Sequence, residues 1–228
     1  MSRVFITGAN RGIGLALAKT YLANGSEVHA TYRDTQQSKE LLDLKLHNHL
    51  LFCHKLDVTD YFAVAKLAQQ FASLDIVISN AGYYGPKGYP LGQTDEMEWR
   101  RTLEVNAIAP LKLAEVFMPL VKQGNDKKMA FISSKMGSMT DNQSGGAYIY
   151  RSSKAALNSV VKSLSIDLEP SGITVLAIHP GWVKTSMGGP NAQMNPNSSA
   201  YQIYNFIHNA TMKRTGQFVN FDGTHIPW

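Results

Sequence analysis

The sequence predicts an α/β fold, a mostly parallel sheet covered by helices, and three observations carry that prediction. Short apolar segments alternate with longer helical patterns along the whole chain, as in repeated βαβ units. One segment, Asp75-Ile76-Val77-Ile78-Ser79, is apolar almost without interruption, as expected of a strand covered on both faces. A glycine-rich turn, Thr7-Gly8-Ala9-Asn10-Arg11-Gly12-Ile13-Gly14, joins the first apolar segment to the first helical one. Composition agrees, because 228 residues that are 44% hydrophobic and 17% charged suit one domain with a large core and not a disordered chain.

The elements follow in order. The opening Arg3-Val4-Phe5-Ile6-Thr7 reads as the first strand (3–7) and not as a signal peptide. The apolar run from Ile13 to Ala18 sits in the first helix (12–24). A strand at 27–32, a helix at 36–46 and a strand at 49–54 come next. Asp60 caps a helix over 60–72, which leads into the strand at 75–79. Asp95 caps the helix over 95–121. A strand at 128–133, a helix at 149–169 and the apolar strand at 173–179 complete the regular alternation. A helix at 199–210 and a strand at 217–220 close the chain. The least regular stretch, Thr185 to Ser199, is rich in Gly, Asn, Pro and Ser and is expected to form a short substrate lid over 185–199.

Several function classes are excluded. No apolar run approaches the roughly 20 residues that span a bilayer. The formal net charge is +5, but basic residues come at most in pairs, as at Arg100-Arg101, Lys127-Lys128 and Lys213-Arg214. A nucleic-acid surface needs a denser stripe. The single cysteine, Cys53, rules out a disulfide framework and suits a reducing, cytoplasmic setting. His47, His49, Cys53 and His54 match no zinc spacing, so no metal site is expected.

The glycine turn carries the first functional signal. Its glycines allow a tight bend and a close backbone approach to a pyrophosphate, while the helix N-terminus offers N–H donors and a positive dipole end. Its spacing is Gly-x3-Gly-x-Gly. With the motifs Asn80-Ala81-Gly82, Leu56-Asp57-Val58-Thr59 and Tyr150-x3-Lys154, it resembles the signature of the short-chain dehydrogenases/reductases. The resemblance runs to the C-terminus. It implies a single Rossmann-type doubly wound domain over residues 1–228, with strand order 3-2-1-4-5-6-7. It implies that Asn106, Ser134, Tyr150 and Lys154 are catalytic. It assigns Gly8, Asn10, Arg11, Gly12, Ile13 and Gly14 to the cofactor phosphates. Asp57 and Val58 go to the adenine, Asn80, Ala81 and Gly82 to the adjoining wall, and Pro180, Gly181, Val183 and Thr185 to the nicotinamide, with Lys154 on its ribose.

The cofactor follows from the end of the second strand, Thr31-Tyr32-Arg33-Asp34. An acidic residue there favours a 2′-hydroxyl and a nearby arginine a 2′-phosphate. By alignment with the family, Tyr32 stands where NAD-preferring members carry Asp. Arg33 and Arg11 would form a charge-assisted clamp, so NADP(H) is favoured over NAD(H). The alternative for Arg33 is solvent or a pair with Asp34.

The chemistry of the remaining residues is equally direct. Tyr150 and Lys154 are four apart in a helical pattern, on one face and about 6 Å apart along the axis. An ammonium beside a tyrosine favours the phenolate and lowers a pKa otherwise near 10. Tyr148 competes by position, but the residue four further on is Ser152, which supplies no charge. Ser134 ends a strand and can donate to a developing oxyanion; Ser133 reads as a supporting residue and Ser138 as a weaker candidate. Asn106 lies mid-helix, where it can bond a neighbouring carbonyl or, as the resemblance implies, hold a water that links to the lysine. The loop from Ser138 to Ala147 is expected over one edge of the pocket, and Tyr83, Tyr84, Met136, Met139, Trp182 and Met187 are candidate walls.

Finer resemblance, in Ser133-Ser134-Lys135-Met136-Gly137-Ser138, His179-Pro180-Gly181-Trp182-Val183-Lys184-Thr185 and the ending Asp222 to Trp228, points to the C-factor-like and sniffer-like carbonyl reductases. The function implied is NADPH-dependent reduction of small-molecule ketones and aldehydes, with Tyr150 as general acid. Two alternatives stand beside it: a nucleotide-binding signalling or regulatory protein of the C-factor type with little turnover, and a carrier-protein-linked ketoacyl reductase. The family resemblance also implies a homodimer or homotetramer through the helices near 95–121 and 149–169.

Overall fold

In a computed structural model that describes residues 1–87 and 89–228, seven strands form one sheet. They are β1 (Arg3–Ile6), β2 (Glu27–Tyr32), β3 (Leu51–Lys55), β4 (Ile76–Ser79), β5 (Lys128–Ile132), β6 (Thr174–His179) and β7 (Gln217–Asn220). Their order is β3-β2-β1-β4-β5-β6-β7 and every pairing is parallel, as the sequence predicts. The order reverses between β1 and β4, which opens a crevice at their C-terminal ends. Those ends carry the glycine turn and Asn80-Ala81-Gly82.

The period-2 alternation of each strand feeds two cores. On one face Val4, Ile6, Ile76, Ile78, Leu176 and Ile178 pack with Leu15 and Leu17 of α1 (Gly12–Ala23) and Ile203 and Ile207 of α7 (Pro196–Asn209). On the other, Phe5, Val77, Met129, Phe131 and Val175 meet α3 (Tyr61–Ala68), α5 (Ala109–Lys122) and α6 (Tyr148–Asp167) through Leu67, Phe117 and Val161. A further helix, α2 (Lys39–Leu46), covers the first face through Leu41. The predicted caps are in place: Asp60 accepts from the Ala63 N–H at 2.9 Å, and Asp95 from the Glu98 N–H at 3.0 Å.

Two of the boundaries that differ from the sequence reading have a local cause. The helix expected over 95–121 is three segments, α4 (Glu96–Leu103), a π-helical turn (Glu104–Ile108) and α5. Pro110 lacks the N–H that would bond the Asn106 carbonyl, and its ring crowds that carbonyl, so the ladder widens before it. The last helix begins at Pro196, where Asn195 accepts from the Asn197 N–H at 2.8 Å. Residues 196–199 are therefore helical and the irregular stretch is shorter than expected.

The sheet also buries imidazoles. His29 Nδ1 lies 3.1 Å from His54 Nε2, and its Nε2 lies 2.9 Å from Glu27 Oε1. Burial pushes both His54 and His179 down to about 4. Unfolded histidine titrates near 6.5, so below that pH the unfolded chain takes up protons that the folded chain refuses. This stability is complete above pH 6.5 and is lost as pH falls toward 4. A group as buried as His179 loses up to about 1.4 kcal/mol per pH unit in that window. Urea unfolding at pH 7.5 and pH 5 measures the loss, and His54→Gln is expected to shrink the difference between the two curves. Coincident curves at the two pH values would contradict the account.

Candidate active site

The end of β1 is tied to the end of β4 by Thr7 and Asn80. Thr7 Oγ1 accepts from the N–H groups of Asn80 (2.9 Å) and Ala81 (3.0 Å), and Asn80 Nδ2 donates to the Thr7 carbonyl (2.9 Å) and the Gly8 carbonyl (3.0 Å). Gly8 has φ +62°, and a Cβ on it would lie 2.9 Å from Ala81 Cα. A Cβ on Gly14 would lie 2.4 Å from both Asn80 Nδ2 and the Gly8 carbonyl oxygen. The chain thus crosses itself too closely for any side chain at these positions.

α1 starts at Gly12 without a capping side chain, since the preceding Arg11 makes no cap hydrogen bond. Its first N–H groups and the positive end of its dipole face the crevice of a bare backbone turn, which fits a phosphate group. Thr185 overlooks this turn, its Cγ2 standing 3.1 Å from a notional Gly12 Cβ. Asn10 Nδ2 donates to the Gln37 carbonyl at 3.0 Å, Arg11 Nη1 donates to Ser186 Oγ at 2.8 Å, and Ile13 packs on the first core.

At the end of β2, Arg33 is largely exposed and stands 4.0 Å from Asp57 Oδ2. Asp34 instead accepts from the Gln36 N–H. Asp57 also holds the Thr59 N–H and hydroxyl through Oδ1. Val58 lines a small cleft with Ser79, Ala81 and Val105. After β6, the Pro180 carbonyl accepts from Ser199 Oγ at 2.6 Å, while a notional Cβ on Gly181 would meet Met194 Sδ at 3.0 Å. Val183 bridges to Met194. The Lys184 N–H donates to the Met194 carbonyl, and the Gln193 and Met194 N–H groups donate to the Trp182 carbonyl. The predicted lid is thus a loop folded back on the chain that follows β6.

The four predicted catalytic residues converge. Tyr150 and Lys154 share a face of α6, with Lys154 Nζ 5.9 Å from the Tyr150 ring centre. Nζ donates to the Ile132 carbonyl at 2.8 Å. Gly137, in the 3-10 turn that follows Ser134, allows this approach, because a Cβ there would lie 2.7 Å from the Lys154 backbone. Ser134 is buried and accepts from the Met136 N–H. Ser133 points away and donates to Asn158 Oδ1 at 2.6 Å, as its alternation predicts.

Asn106 is fully buried. Its Oδ1 accepts from the Tyr83 N–H at 2.8 Å, and its Nδ2 donates to the Tyr83 carbonyl at 2.7 Å and to Ser153 Oγ at 2.9 Å. It therefore bonds backbone, but across elements and not within its own helix. A notional Cβ on Gly82 would lie 3.4 Å from Asn106 Oδ1 and 3.8 Å from Lys154 Nζ, so the Asn-Ala-Gly turn joins the two. Thr7 belongs to the glycine-turn motif, whereas Ser153 and Ser199 are positioning residues that sequence patterns assigned no role; each is a small hydroxyl with a partner on another element.

Electrostatics corrects one expectation. Burial pushes the Tyr150 phenol up to about 12, the Ser134 hydroxyl pulling against it and Tyr84 adding to the rise, while burial pushes Lys154 down to about 8. The ammonium does not lower the phenol here because it is turned to the Ile132 carbonyl and both groups are desolvated. Tyr150 keeps its proton at neutral pH, which suits an acid.

Beside Tyr150 is a cavity of about 190 Å³, its walls including Tyr84, Lys87, Tyr89, Thr94, Tyr148 and Ile149. Tyr84 stacks on Tyr150 with ring centres 4.4 Å apart and planes 22° apart. Of the predicted walls only Tyr84 lines this cavity. Tyr83 turns its hydroxyl to Glu98, while Met139, Trp182 and Met187 are exposed. The loop before α6 contributes Ala147 alone and is held by Arg151, which donates to Ser144 Oγ and the Gly145 carbonyl.

Known proteins are similar to this chain in sequence and fold. Residues 2–196 match the family model described as short chain dehydrogenase. A protein named C-signal, from Myxococcus xanthus, is 40% identical over 155 residues, 68% of this chain and 93% of that protein. The solved carbonyl reductase Sniffer of D. melanogaster superposes with TM-score 0.95 at 35% identity over 100% of both chains. An NADPH-bound carbonyl reductase from chicken fatty liver does so with TM-score 0.93 at 32% identity, over 100% of this chain and 99% of that one.

Proposed function

This chain belongs to the short-chain dehydrogenase family and is an NAD(P)-dependent oxidoreductase, and we propose that it reduces ketone and aldehyde carbonyls with NADPH. The observation that carries this reading is a buried Tyr150 at the wall of a cavity, with Lys154 and Ser134 around it and the bare glycine turn nearby. The nicotinamide, when bound, supplies a hydride. Ser134 donates to the carbonyl oxygen and polarises it. As the carbonyl is reduced, its oxygen would take the Tyr150 proton, which gives the alcohol. Lys154 holds the nicotinamide ribose, and the phenolate left behind regains its proton from water held near Asn106.

The turn from Gly8 to Gly14 holds the pyrophosphate, and Asn80, Ala81 and Gly82 form the adjoining wall. Asp57 and Val58 border the adenine. Pro180, Gly181, Val183 and Thr185 back the nicotinamide, and the 185–199 segment acts as the lid. Arg33 and Arg11 hold the 2′-phosphate, so the KM for NADPH is expected to rise on the order of tenfold in Arg33→Ala, with little change for NADH. Equal loss with both cofactors would assign Arg33 to another part of the nucleotide. Exposed Met97, Ile108 and Ile166 on α4, the π turn and α6 support assembly as a homodimer or homotetramer through these helices.

The test is NADPH and NADH oxidation against ketones, aldehydes and quinones. Turnover faster with NADPH is expected. Tight NADPH binding with no turnover on any of them would instead favour a signalling role, the reading that the C-signal relative keeps open.

A further inference from the structure

The cavity beside Tyr150 has a size and a charge that select among carbonyl compounds. Its volume is about 190 Å³, against ~150 Å³ for an apolar cavity that takes up one benzene. It has room for one ring with a short substituent. Its walls are rings too, Tyr84, Tyr89 and Tyr148 beside Tyr150. Because Tyr84 lies nearly flat on Tyr150, a substrate cannot slide between the two rings and must approach the phenol from the edge.

The only charged side chain among the described lining residues is Lys87. Its Nζ sits 5.3 Å from the Tyr84 ring centre, and Tyr84 lies 4.4 Å from Tyr150. Laid end to end, these distances bound how far the ammonium stands from the catalytic ring. The carboxylates at the start of α4 are already engaged. Asp95 caps the helix, Glu96 pairs with Arg100, and Glu98 accepts from Tyr83 and pairs with Arg101. Lys87 therefore leaves a positive charge at the mouth of an aromatic slot.

We infer that this pocket takes single-ring aromatic carbonyl compounds that carry a carboxylate, and that Lys87 reads that charge. The inference rests on the proposed reductase activity and adds a substrate class to it. It is tested with 4-carboxybenzaldehyde and its uncharged methyl ester, comparing the ratio of their kcat/KM values in the wild type, Lys87→Met and Lys87→Arg. Taking the ratio within each protein and comparing across proteins cancels the intrinsic reactivity of the two aldehydes.

The acid-to-ester ratio is expected to fall about three- to fivefold in Lys87→Met and to be kept in Lys87→Arg. Added salt should lower the ratio in the wild type and leave it flat in Lys87→Met. An identical ratio in the wild type and Lys87→Met, or a wild-type ratio indifferent to salt, overturns the role of Lys87 while the reductase reading stands. No oxidation of NADPH with either aldehyde or with any other carbonyl overturns both.

Discussion

Tyr150→Phe is expected to lower kcat/KM for carbonyl reduction by about 10²–10⁴ while leaving NADPH affinity nearly unchanged. The substitution removes one hydroxyl and keeps the ring. The stack with Tyr84, 4.4 Å between centres, survives it, as does the burial of the ring in α6. What is lost is the proton. The phenol is pushed up to about 12 by burial, so it carries a proton at neutral pH, and the other phenols of the cavity, Tyr84, Tyr89 and Tyr148, have no lysine four residues on. Initial rates give the activity, and NADPH fluorescence titration gives the affinity. Tyr148→Phe is the matched control, since Tyr148 lines the same cavity but is 41% exposed. A Tyr150→Phe variant with more than a tenth of wild-type kcat/KM would remove Tyr150 from the role of acid.

Much of this was legible in the sequence, for physical reasons that differ between elements. β4 and β6 are runs of apolar residues because both faces of the sheet are covered. The caps Asp60 and Asp95 are local, each reaching a backbone N–H three residues on. The π turn was not legible. Pro110 is visible in the sequence, but a helical period does not say whether a proline ends a helix, kinks it or widens one turn. Here widening sets the Asn106 side chain between Tyr83 and Ser153.

The cavity was legible only in part. Tyr84, Lys87 and Tyr89 lie on a loop whose path is set by left-handed glycines, Gly85 at φ +77° and Gly92 at φ +89°, and such a path leaves no periodic trace. The spacing of Tyr150 and Lys154 put them on one face. It did not reveal that both would be buried deeply enough for desolvation to outweigh their mutual attraction.

Gly14→Ala is expected to destabilise the protein by about 1–3 kcal/mol and to abolish tight NADPH binding. Propensity argues the other way, because Ala in a helix is favoured over Gly by about 1 kcal/mol. Steric contact decides between them. The new Cβ would stand 2.4 Å from the Gly8 carbonyl oxygen and 2.4 Å from Asn80 Nδ2. The first is backbone. The second is a side-chain amide fixed by hydrogen bonds to the Thr7 and Gly8 carbonyls, so it cannot withdraw without leaving them unpaired. Relief requires α1 to move away from the junction of β1 and β4, which opens the turn that cradles the phosphates. Urea unfolding and NADPH titration of the variant measure the two effects. An Ala variant as stable as wild type would mean that propensity wins and that this junction yields more easily than its hydrogen bonds imply. The spacing Gly-x3-Gly-x-Gly then has a separate cause at each position. Gly8 bends with positive φ against Ala81, Gly12 does so beneath Thr185, and Gly14 lets the helix lie on Asn80.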